Sequence, residues 1–257
     1  MALLEIKNIS LSFGGLKAVD SVSVHVDQGE IVSIIGPNGA GKTTVFNILT
    51  GIYKVDVGEI FFDGRAIHNL IPQDIVKSGI ARTFQNIRLF RNMRVIENVL
   101  IGSHIMAPYG FLHSVFRTKR FKESERENTI KAVHLLKDVG LLHRTHEYAG
   151  NLPYGEQRKL EIARALATGA RLILLDEPAA GMNPQESEEL LHFIFSLRQR
   201  GYTILLIEHD MSVVMNISDR VYVLDYGKLI SKGLPKEVAN DPKVIEAYLG
   251  GVPDAEN

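Results

Sequence analysis

The sequence of 257 residues contains no cysteine and no tryptophan, and its charged groups nearly cancel. The absence of cysteine excludes a disulfide framework and any metal site made of thiolates. A formal net charge of −1 gives no overall attraction to nucleic acid. No stretch approaches the ~18 apolar residues of a membrane-spanning helix. Glu5 and Lys7 interrupt the apolar residues near the start, so we also expect no signal peptide.

The most informative motif is a glycine-rich loop after the apolar run 31–35, which predicts a buried strand. The loop matches G-x-x-x-x-G-K-[ST], and its glycines let backbone N–H groups and a helix N terminus face phosphate oxygens. We therefore predict a nucleoside triphosphate site in which Lys42 reaches the β- and γ-phosphates and Thr43 ligates Mg²⁺. The predicted phosphate-binding residues are Gly36, Pro37, Asn38, Gly39, Ala40, Gly41, Lys42, Thr43 and Thr44.

Two further apolar runs end in ionisable residues. Residues 171–177 end in Asp176 and Glu177, and residues 202–207 precede His209. Because parallel strands end at the same sheet edge, we expect these side chains near the phosphate loop. One carboxylate can hold Mg²⁺ through water, and the other can orient or deprotonate an attacking water. A single histidine after a strand is more often a surface or capping residue, but this position favours a catalytic role.

Further motifs extend this pattern along the chain. Together they resemble the nucleotide-binding subunit of ATP-binding cassette (ABC) transporters over nearly all of residues 4–250, and they occur in the order typical of that family. The matching segments are the Q-loop at 82–86, the signature position at 152–156, the D-loop at 180–183 and the switch histidine, His209.

The resemblance implies a role for each matching residue. Asp176 is implied to bind magnesium, Glu177 to polarise the hydrolytic water, and Gln85 to sense magnesium and that water. His209, Glu177 and Gln85 are the expected catalytic residues, while Thr43, Gln85 and Asp176 are the expected magnesium residues. Phe13 lies where the family places an aromatic ring that stacks on adenine, although such a residue taken alone would be part of the core.

The signature segment departs from the common form LSGGQ. Pro153 replaces serine and so removes a hydroxyl and a backbone donor, while Tyr154 and Glu156 replace glycine and glutamine. Gly155 remains at the start of an amphipathic run, where a helix N terminus can bind phosphate through backbone donors. We expect Gly155 to contact the nucleotide of an opposite protomer more weakly than the usual signature does. The alternative is a capped core helix without such a contact.

The pattern along the chain predicts an α/β fold of the P-loop NTPase class. We expect a mostly parallel sheet flanked by helices, an antiparallel β edge that includes residues 4–26, and an inserted helical subdomain. The antiparallel hairpin signals continue at 60–64 and 221–227. The predicted ATP-binding core comprises 1–86 and 166–257, and the helical signature subdomain comprises 87–165. Its helical spacing is illustrated by Ile130, Val133, Leu136 and Lys137.

Two segments suggest contact surfaces. Phe90 and Met93 follow the Q-loop, where the family docks a short helix of its membrane subunit; a place in the helical core is an equally good interpretation. Residues 105–122 are apolar and aromatic, then basic, which is compatible with a lipid surface or nucleic acid. Because acidic residues follow at once, we favour a solvated helix beside a packed loop.

Within the family the chain is most similar to the ATPases of branched-chain amino-acid importers. This resemblance implies ATP and Mg²⁺ as cofactors and a homodimer or heterodimer with a second ABC ATPase. It also implies integral-membrane permease subunits, indirect contact with an extracytoplasmic solute-binding protein, and a peripheral location on the cytoplasmic face of the inner membrane. The alternatives are a soluble ABC ATPase acting on nucleic acid or ribosomes, and a nucleotide-gated binding module without turnover. The segments carrying the resemblance are 82–90, 154–155, 177–184 and 241–250.

Overall fold

The computed structural model describes residues 2–105 and 119–249 of the chain and contains two β-sheets covered by helices. Most of residues 105–122, the segment interpreted as a solvated helix and packed loop, lies outside the described residues. The strands are β1 (Ala2–Phe13), β2 (Leu16–Asp27), β3 (Ile31–Ile35), β4 (Val57–Phe62), β5 (Arg65–Ala66), β6 (Ile80–Arg82), β7 (Leu172–Asp176), β8 (Thr203–Ile207), β9 (Arg220–Asp225) and β10 (Lys228–Gly233).

The helices lie between and after these strands. Within residues 2–105 and 119–249, no helix is both long enough and apolar enough to span a bilayer. The helices are α1 (Lys42–Leu49), α2 (Pro72–Ser78), α3 (Val95–His104), α4 (Lys119–Asp138), α5 (Tyr154–Ala167), α6 (Pro184–Gln199), α7 (Met211–Ile217), α8 (Pro235–Ala239) and α9 (Pro242–Leu249).

The larger sheet has six strands in the order β10-β9-β3-β8-β7-β6. Its central pairings are parallel, and only β10 runs antiparallel to its neighbour. Strands β3, β7 and β8 are buried at every position, because the smaller sheet and α1 cover one face of the larger sheet and helices cover the other. Since β3, β7 and β8 are parallel neighbours, the residues that follow them meet at one edge of the sheet.

The smaller sheet is antiparallel and has the order β2-β1-β4-β5. Strands β1 and β2 alternate buried and exposed residues over much of their length, as expected for a sheet with one face in the core. This sheet and the hairpin of β9 and β10 confirm the antiparallel pairings predicted from the sequence.

The helices between the Q-loop and the end of α5 pack on the larger sheet rather than on one another alone. Leu160 of α5 and Leu136 of α4 belong to the same buried cluster as Ile173 and Ile204 of the sheet. Helix α5 ends at Ala167, just beyond the predicted boundary at residue 165.

The residues that indicated the helical spacing of α4 are only partly buried. Ile130 is 49% exposed, whereas Leu136 is fully buried. The buried row consists of Ser124, Asn128, Ala132 and Leu136. These residues recur every four positions, which confirms the helical period, and Leu136 belongs to both sets of residues.

Candidate functional site

The loop between β3 and α1 has a backbone shape that requires glycine at two positions. Gly36 has a φ of 148°, and a Cβ there would lie 2.0 Å from the carbonyl oxygen of Leu224. Gly41 has a φ of 98°, and a Cβ there would lie 2.6 Å from the carbonyl oxygen of Ala18. Any other residue would clash with backbone atoms, so packing against β9 and β2 determines the shape of the loop.

The N terminus of α1 opens into a cleft of about 500 Å³. Gly41 is its N-cap residue, no side chain caps its N–H groups, and its first turn contains no acidic residue. Unpaired N–H groups and the helix dipole make such an end a binding site for an anion. The cleft is lined by Leu16, Lys17, Ala18, Asn38, Gly39, Ala40, Gly41, Lys42, Thr43, Thr44, Glu177, Tyr226 and Gly227.

Lys42 places a cation at the base of this loop. Only 6% of the residue is exposed, and its Nζ donates to the carbonyl oxygens of Gly36 at 2.8 Å and Pro37 at 2.9 Å. Burial lowers the pKa of Lys42, while the nearby charges of Glu177 and Asp176 act in the opposite direction. The ammonium is therefore held beside the loop and close to two carboxylates.

Glu177 is the meeting point of the predicted catalytic residues. Gln85 donates from Nε2 to its Oε2 at 2.8 Å, and His209 Nδ1 lies 3.7 Å from the same oxygen. The Glu177 side chain is 18% exposed, whereas that of His209 is 57% exposed. Glu177 also has a φ of 44°, a conformation that is strained for a residue with a side chain. Such strain is concentrated at functional sites.

Asp176 is held by an arginine that the sequence interpretation missed. Arg82 Nη2 donates to Asp176 Oδ2 at 2.7 Å, and both side chains are nearly enclosed. Arg82 Nη1 also donates to Asn47 Oδ1 at 2.7 Å, and the guanidinium lies over the rings of Phe46 and Phe84. A charged residue in a short apolar strand was the available signal, because a buried arginine requires an acidic partner.

Glu208 is a second residue whose position was not anticipated. It is 1% exposed, and its Oε1 accepts a hydrogen bond from the backbone N–H of Ala179 at 3.3 Å. Burial raises the pKa of the Glu208 carboxyl, against the smaller effects of this bond and of His209. Glu208 therefore links the end of β8 to the segment that follows Glu177.

The N terminus of α5 lies at a separate, smaller cavity of about 220 Å³. Pro153 is the N-cap residue, and Tyr154 donates from its hydroxyl to the carbonyl oxygen of Ala180 at 3.1 Å. A Cβ at Gly155 would come no closer than 4.0 Å to Glu186 Oε1. The charged residues of the lining are Glu156, Glu186, Glu189 and Lys159, whose Nζ lies 3.9 Å from Glu189 Oε2. This helix end is open, and acidic residues outnumber basic ones around it.

Two predicted contact residues are only partly covered. Phe13 is 46% exposed and meets the ring of Tyr53 edge-on, with the ring centroids 5.1 Å apart. It is absent from the described residues that line the phosphate-loop cleft. Phe90 is 49% exposed and lies under the guanidinium of Arg164. Both rings therefore retain exposed surface for a ligand or partner.

The oxygen atoms near the cleft suit a magnesium ion. Mg²⁺ prefers carboxylate and hydroxyl oxygens together with phosphate and water. Thr43 lines the cleft, and Asp176 and Glu177 both act on the buried Lys42 ammonium. The residues present therefore fit this ion.

The fold and this cleft define a P-loop nucleotide hydrolase in which a helical segment is inserted between strands. The sequence pattern described as ABC transporter matches residues 19–180, and one described as branched-chain amino acid ATP-binding cassette transporter matches residues 228–254. The chain belongs to the ABC transporter family, and it is an ATP-binding ATPase of the kind that is coupled to transport.

Individual relatives match the chain over nearly its full length. The high-affinity branched-chain amino acid transport ATP-binding protein BraF of Pseudomonas aeruginosa is 47% identical over 96% of this chain and 98% of its own. The protein LivG of Salmonella typhimurium, with the same descriptive name, is 48% identical over the same shares.

Solved structures support the same fold. The ADP conformation of MJ1267, an ATP-binding cassette of an ABC transporter, has a TM-score of 0.86 and is 38% identical, covering 97% of this chain and 99% of its own. A nucleotide-free cassette has a TM-score of 0.84, is also 38% identical, and covers 96% of this chain and 99% of its own.

Proposed function

We propose that this chain is the ATP-hydrolysing subunit of an ABC importer for branched-chain amino acids. It powers solute movement through separate membrane subunits by ATP-driven closure of a dimer. The observation that carries the hydrolytic role is the meeting of Gln85 and His209 at one oxygen of Glu177, beside the cleft of the phosphate loop. The solute class is supported by the names of the relatives and by the match over residues 228–254.

The catalytic assignments follow from this cluster. Glu177 orients or deprotonates the attacking water, because it is the one acidic residue among the described residues that line the cleft of the phosphate loop. Gln85 holds that carboxylate by a hydrogen bond, and His209 lies 3.7 Å from the same oxygen. Lys42 neutralises phosphate charge from its buried position below the loop.

We assign the magnesium site to Thr43, Asp176 and Gln85. Bound there, Mg²⁺ would neutralise phosphate charge and orient the phosphates for in-line attack. Arg82 holds Asp176 by one carboxylate oxygen. The Gln85 amide contacts Glu177, which links the metal residues to the catalytic carboxylate.

The nucleotide is assigned to two surfaces. Residues 36–44 of one protomer bind the phosphates and its Phe13 stacks on adenine, while Gly155 of the opposite protomer completes the site. The exposed half of Phe13 and the open N terminus of α5 support this arrangement. Two separate openings on one chain suit a head-to-tail dimer, in which each faces the other on its partner.

We divide the chain into an ATP-binding core, 1–86 with 166–257, and a helical signature subdomain, 87–165. The partners are a second ABC ATPase, identical or different, the integral-membrane permease subunits, and indirectly an extracytoplasmic solute-binding protein. The exposed Phe90 is a candidate contact with a permease. These partners place the chain at the cytoplasmic face of the inner membrane as a peripheral subunit. Neither the relatives nor the net charge favours an action on nucleic acid.

The test is uptake of radiolabelled leucine by cells that lack this gene and receive it on a plasmid. The parental gene should restore uptake, and Glu177→Gln should not, although the protein accumulates equally. Uptake of a labelled sugar serves as the control and should be unchanged. Leucine uptake that is the same with and without the gene would contradict the proposal.

A further inference from the structure

Arg158 has the largest fully buried side chain among the described residues, and none of the roles above uses it. It lies on α5, two residues after the signature segment. Its Nη1 lies 2.8 Å from Glu161 Oε2, and these side chains are 0% and 1% exposed. A buried ion pair has a large desolvation cost and persists where further hydrogen bonds satisfy both partners.

Apart from a contact between Arg158 and the Tyr154 hydroxyl, the further hydrogen bonds of this pair reach the backbone of the Q-loop and of Arg88 just after it. Arg158 Nη1 donates to the carbonyl oxygen of Phe84 at 2.6 Å, and its Nη2 donates to that of Gln85 at 2.7 Å. Glu161 Oε1 accepts from the backbone N–H of Arg88 at 3.1 Å. The ion pair therefore holds the main chain on both sides of Gln85.

The same end of α5 also contacts the segment that follows Glu177. Tyr154 donates from its hydroxyl to the carbonyl oxygen of Ala180, and the same hydroxyl lies 3.4 Å from Arg158 Nη2. Gln85, fixed by its backbone, directs its side chain to Glu177 at 2.8 Å. The N-terminal end of α5 is thus connected to Glu177 through the Q-loop. It is also connected, through Tyr154, to Ala180 in the segment that follows Glu177.

We propose that Arg158 is a positioning residue for hydrolysis, which sets the reach of the Gln85 side chain to Glu177 by holding the carbonyl groups of Phe84 and Gln85. Through this connection the signature end of α5 influences the catalytic cluster of its own chain. The inference rests on the proposed function, because Gln85 and Glu177 must act on ATP. Lysine cannot replace Arg158, since one ammonium lacks the planar fork that reaches two carbonyl groups and Glu161 together.

The test is a double-mutant cycle of Arg158→Lys and Gln85→Ala, with kcat and KM for ATP measured for each protein. Arg158→Lys should lower kcat by about tenfold to about a hundredfold with little change in KM, because a small misplacement of a catalytic group costs that much. In the Gln85→Ala background the same change should add less than about a twofold loss, since the two residues act in series. Equal losses in both backgrounds would overturn the inference.

Two further variants separate positioning from folding. Arg158→Met with Glu161→Leu removes both charges together, so neither is left buried without its partner. This protein should melt below the parental temperature, because three backbone groups lose a hydrogen bond, but it should still unfold in one cooperative transition and lose kcat as Arg158→Lys does; parental kcat would contradict the inference. Arg198→Lys is the matched control, because Arg198 also pairs with a carboxylate and a backbone carbonyl, those of Asp219 and Gly29. It should keep parental kcat, and a loss equal to that of Arg158→Lys would overturn the inference.

Glu177→Gln is measured in parallel, so that two failures can be told apart. If this variant hydrolyses ATP at the parental rate, the proposed function fails, and the inference fails with it. If Glu177→Gln is inactive but Arg158→Lys still lowers kcat to the same extent in the Gln85→Ala background, the inference alone is overturned.

Discussion

The N termini of α1 and α5 are both open helix ends, yet their surroundings differ in charge. The first turn of α1 has no acidic residue and begins with the buried Lys42, and the cleft beside it also includes Glu177. The first turn of α5 contains Glu156, and the adjoining cavity also includes Glu186, Glu189 and a single lysine, Lys159. Anions are stabilised at a helix N terminus and repelled by nearby carboxylates. We therefore expect the phosphate loop to bind phosphate alone, and we expect the signature end, in the proposed dimer, to meet a nucleotide whose charge the facing protomer has already neutralised.

The largest expected effect is on hydrolysis at the phosphate-loop end. Glu177→Gln should lower the rate by about 10²- to 10⁴-fold, the range for loss of a general base. Binding should survive, because Lys42, Thr43 and Asp176 are unchanged and the new amide still accepts from Gln85. With ATP, but not ADP, the variant should shift from monomer towards dimer in size-exclusion chromatography with light scattering. A parental rate of hydrolysis would refute the catalytic assignment.

At the signature end, Gly155→Asp should reduce hydrolysis by about 10²- to 10³-fold, because juxtaposed like charges cost several kcal/mol. Space for a side chain exists there, so the effect is one of charge. Gly155→Asn, which has the same shape without the charge, is the matched control and should retain most activity. Pro153→Ser should match or exceed the parental rate.

Calorimetry of the Gly155→Asp protein should give a nearly parental affinity of the monomer for ATP. If Gly155→Asp and Gly155→Asn hydrolyse ATP equally well, the end of α5 does not face nucleotide.

Lys42→Ala should weaken the affinity for Mg-ATP by about 10²-fold, since hydrogen bonds to charged groups contribute about 1.5–3 kcal/mol. Isothermal titration calorimetry measures this directly. Lys77→Ala, which removes a surface lysine paired with Asp74, is the control and should bind as the parent does. Equal affinities of the Lys42→Ala and Lys77→Ala proteins would show that Lys42 does not bind the phosphates. The N terminus of α1 would then have no advantage over that of α5 from this lysine.

The smallest expected effect is on the pH dependence of stability, and it concerns Glu208, which follows β8. Burial raises its pKa above the ordinary value of 4.5, so the folded protein holds this proton more tightly than the unfolded chain. The contribution of Glu208 to stability is therefore lost as the pH rises from the ordinary pKa of this group through its raised pKa in the folded protein. Glu208→Gln keeps an acceptor for the N–H of Ala179 and should raise stability at pH 8 while changing it little near pH 4.

Urea unfolding at pH 4 and pH 8 measures this difference. Glu188→Gln, whose side chain is 75% exposed, should unfold as the parent does at both values. An identical pH dependence of the parent and the Glu208→Gln protein would show that Glu208 does not titrate as its burial requires.

Much of the fold could be predicted because its signals are local. Strands β3, β7 and β8 are short, wholly apolar runs, and β1 with β2 alternates over much of its length. The helical period of α4 was also visible, but its buried face was not. Ser124 and Asn128 are buried in α4, although they are polar, while the apolar Ile130 is exposed. Burial of a particular stripe depends on the neighbouring elements, which spacing along one helix does not specify.

The sequence by itself determined the phosphate loop, because a left-handed glycine and a lysine must occupy adjacent positions in one turn between strand and helix. It also placed Asp176, Glu177 and His209 at one sheet edge, since parallel strands end together. Tertiary structure alone decided their partners. Arg82 reaches Asp176 across 94 positions, and Arg158 reaches the Q-loop carbonyl groups across 73 and 74. Such contacts depend on how buried charges find partners after the sheet and helices have packed, and no local pattern encodes that choice.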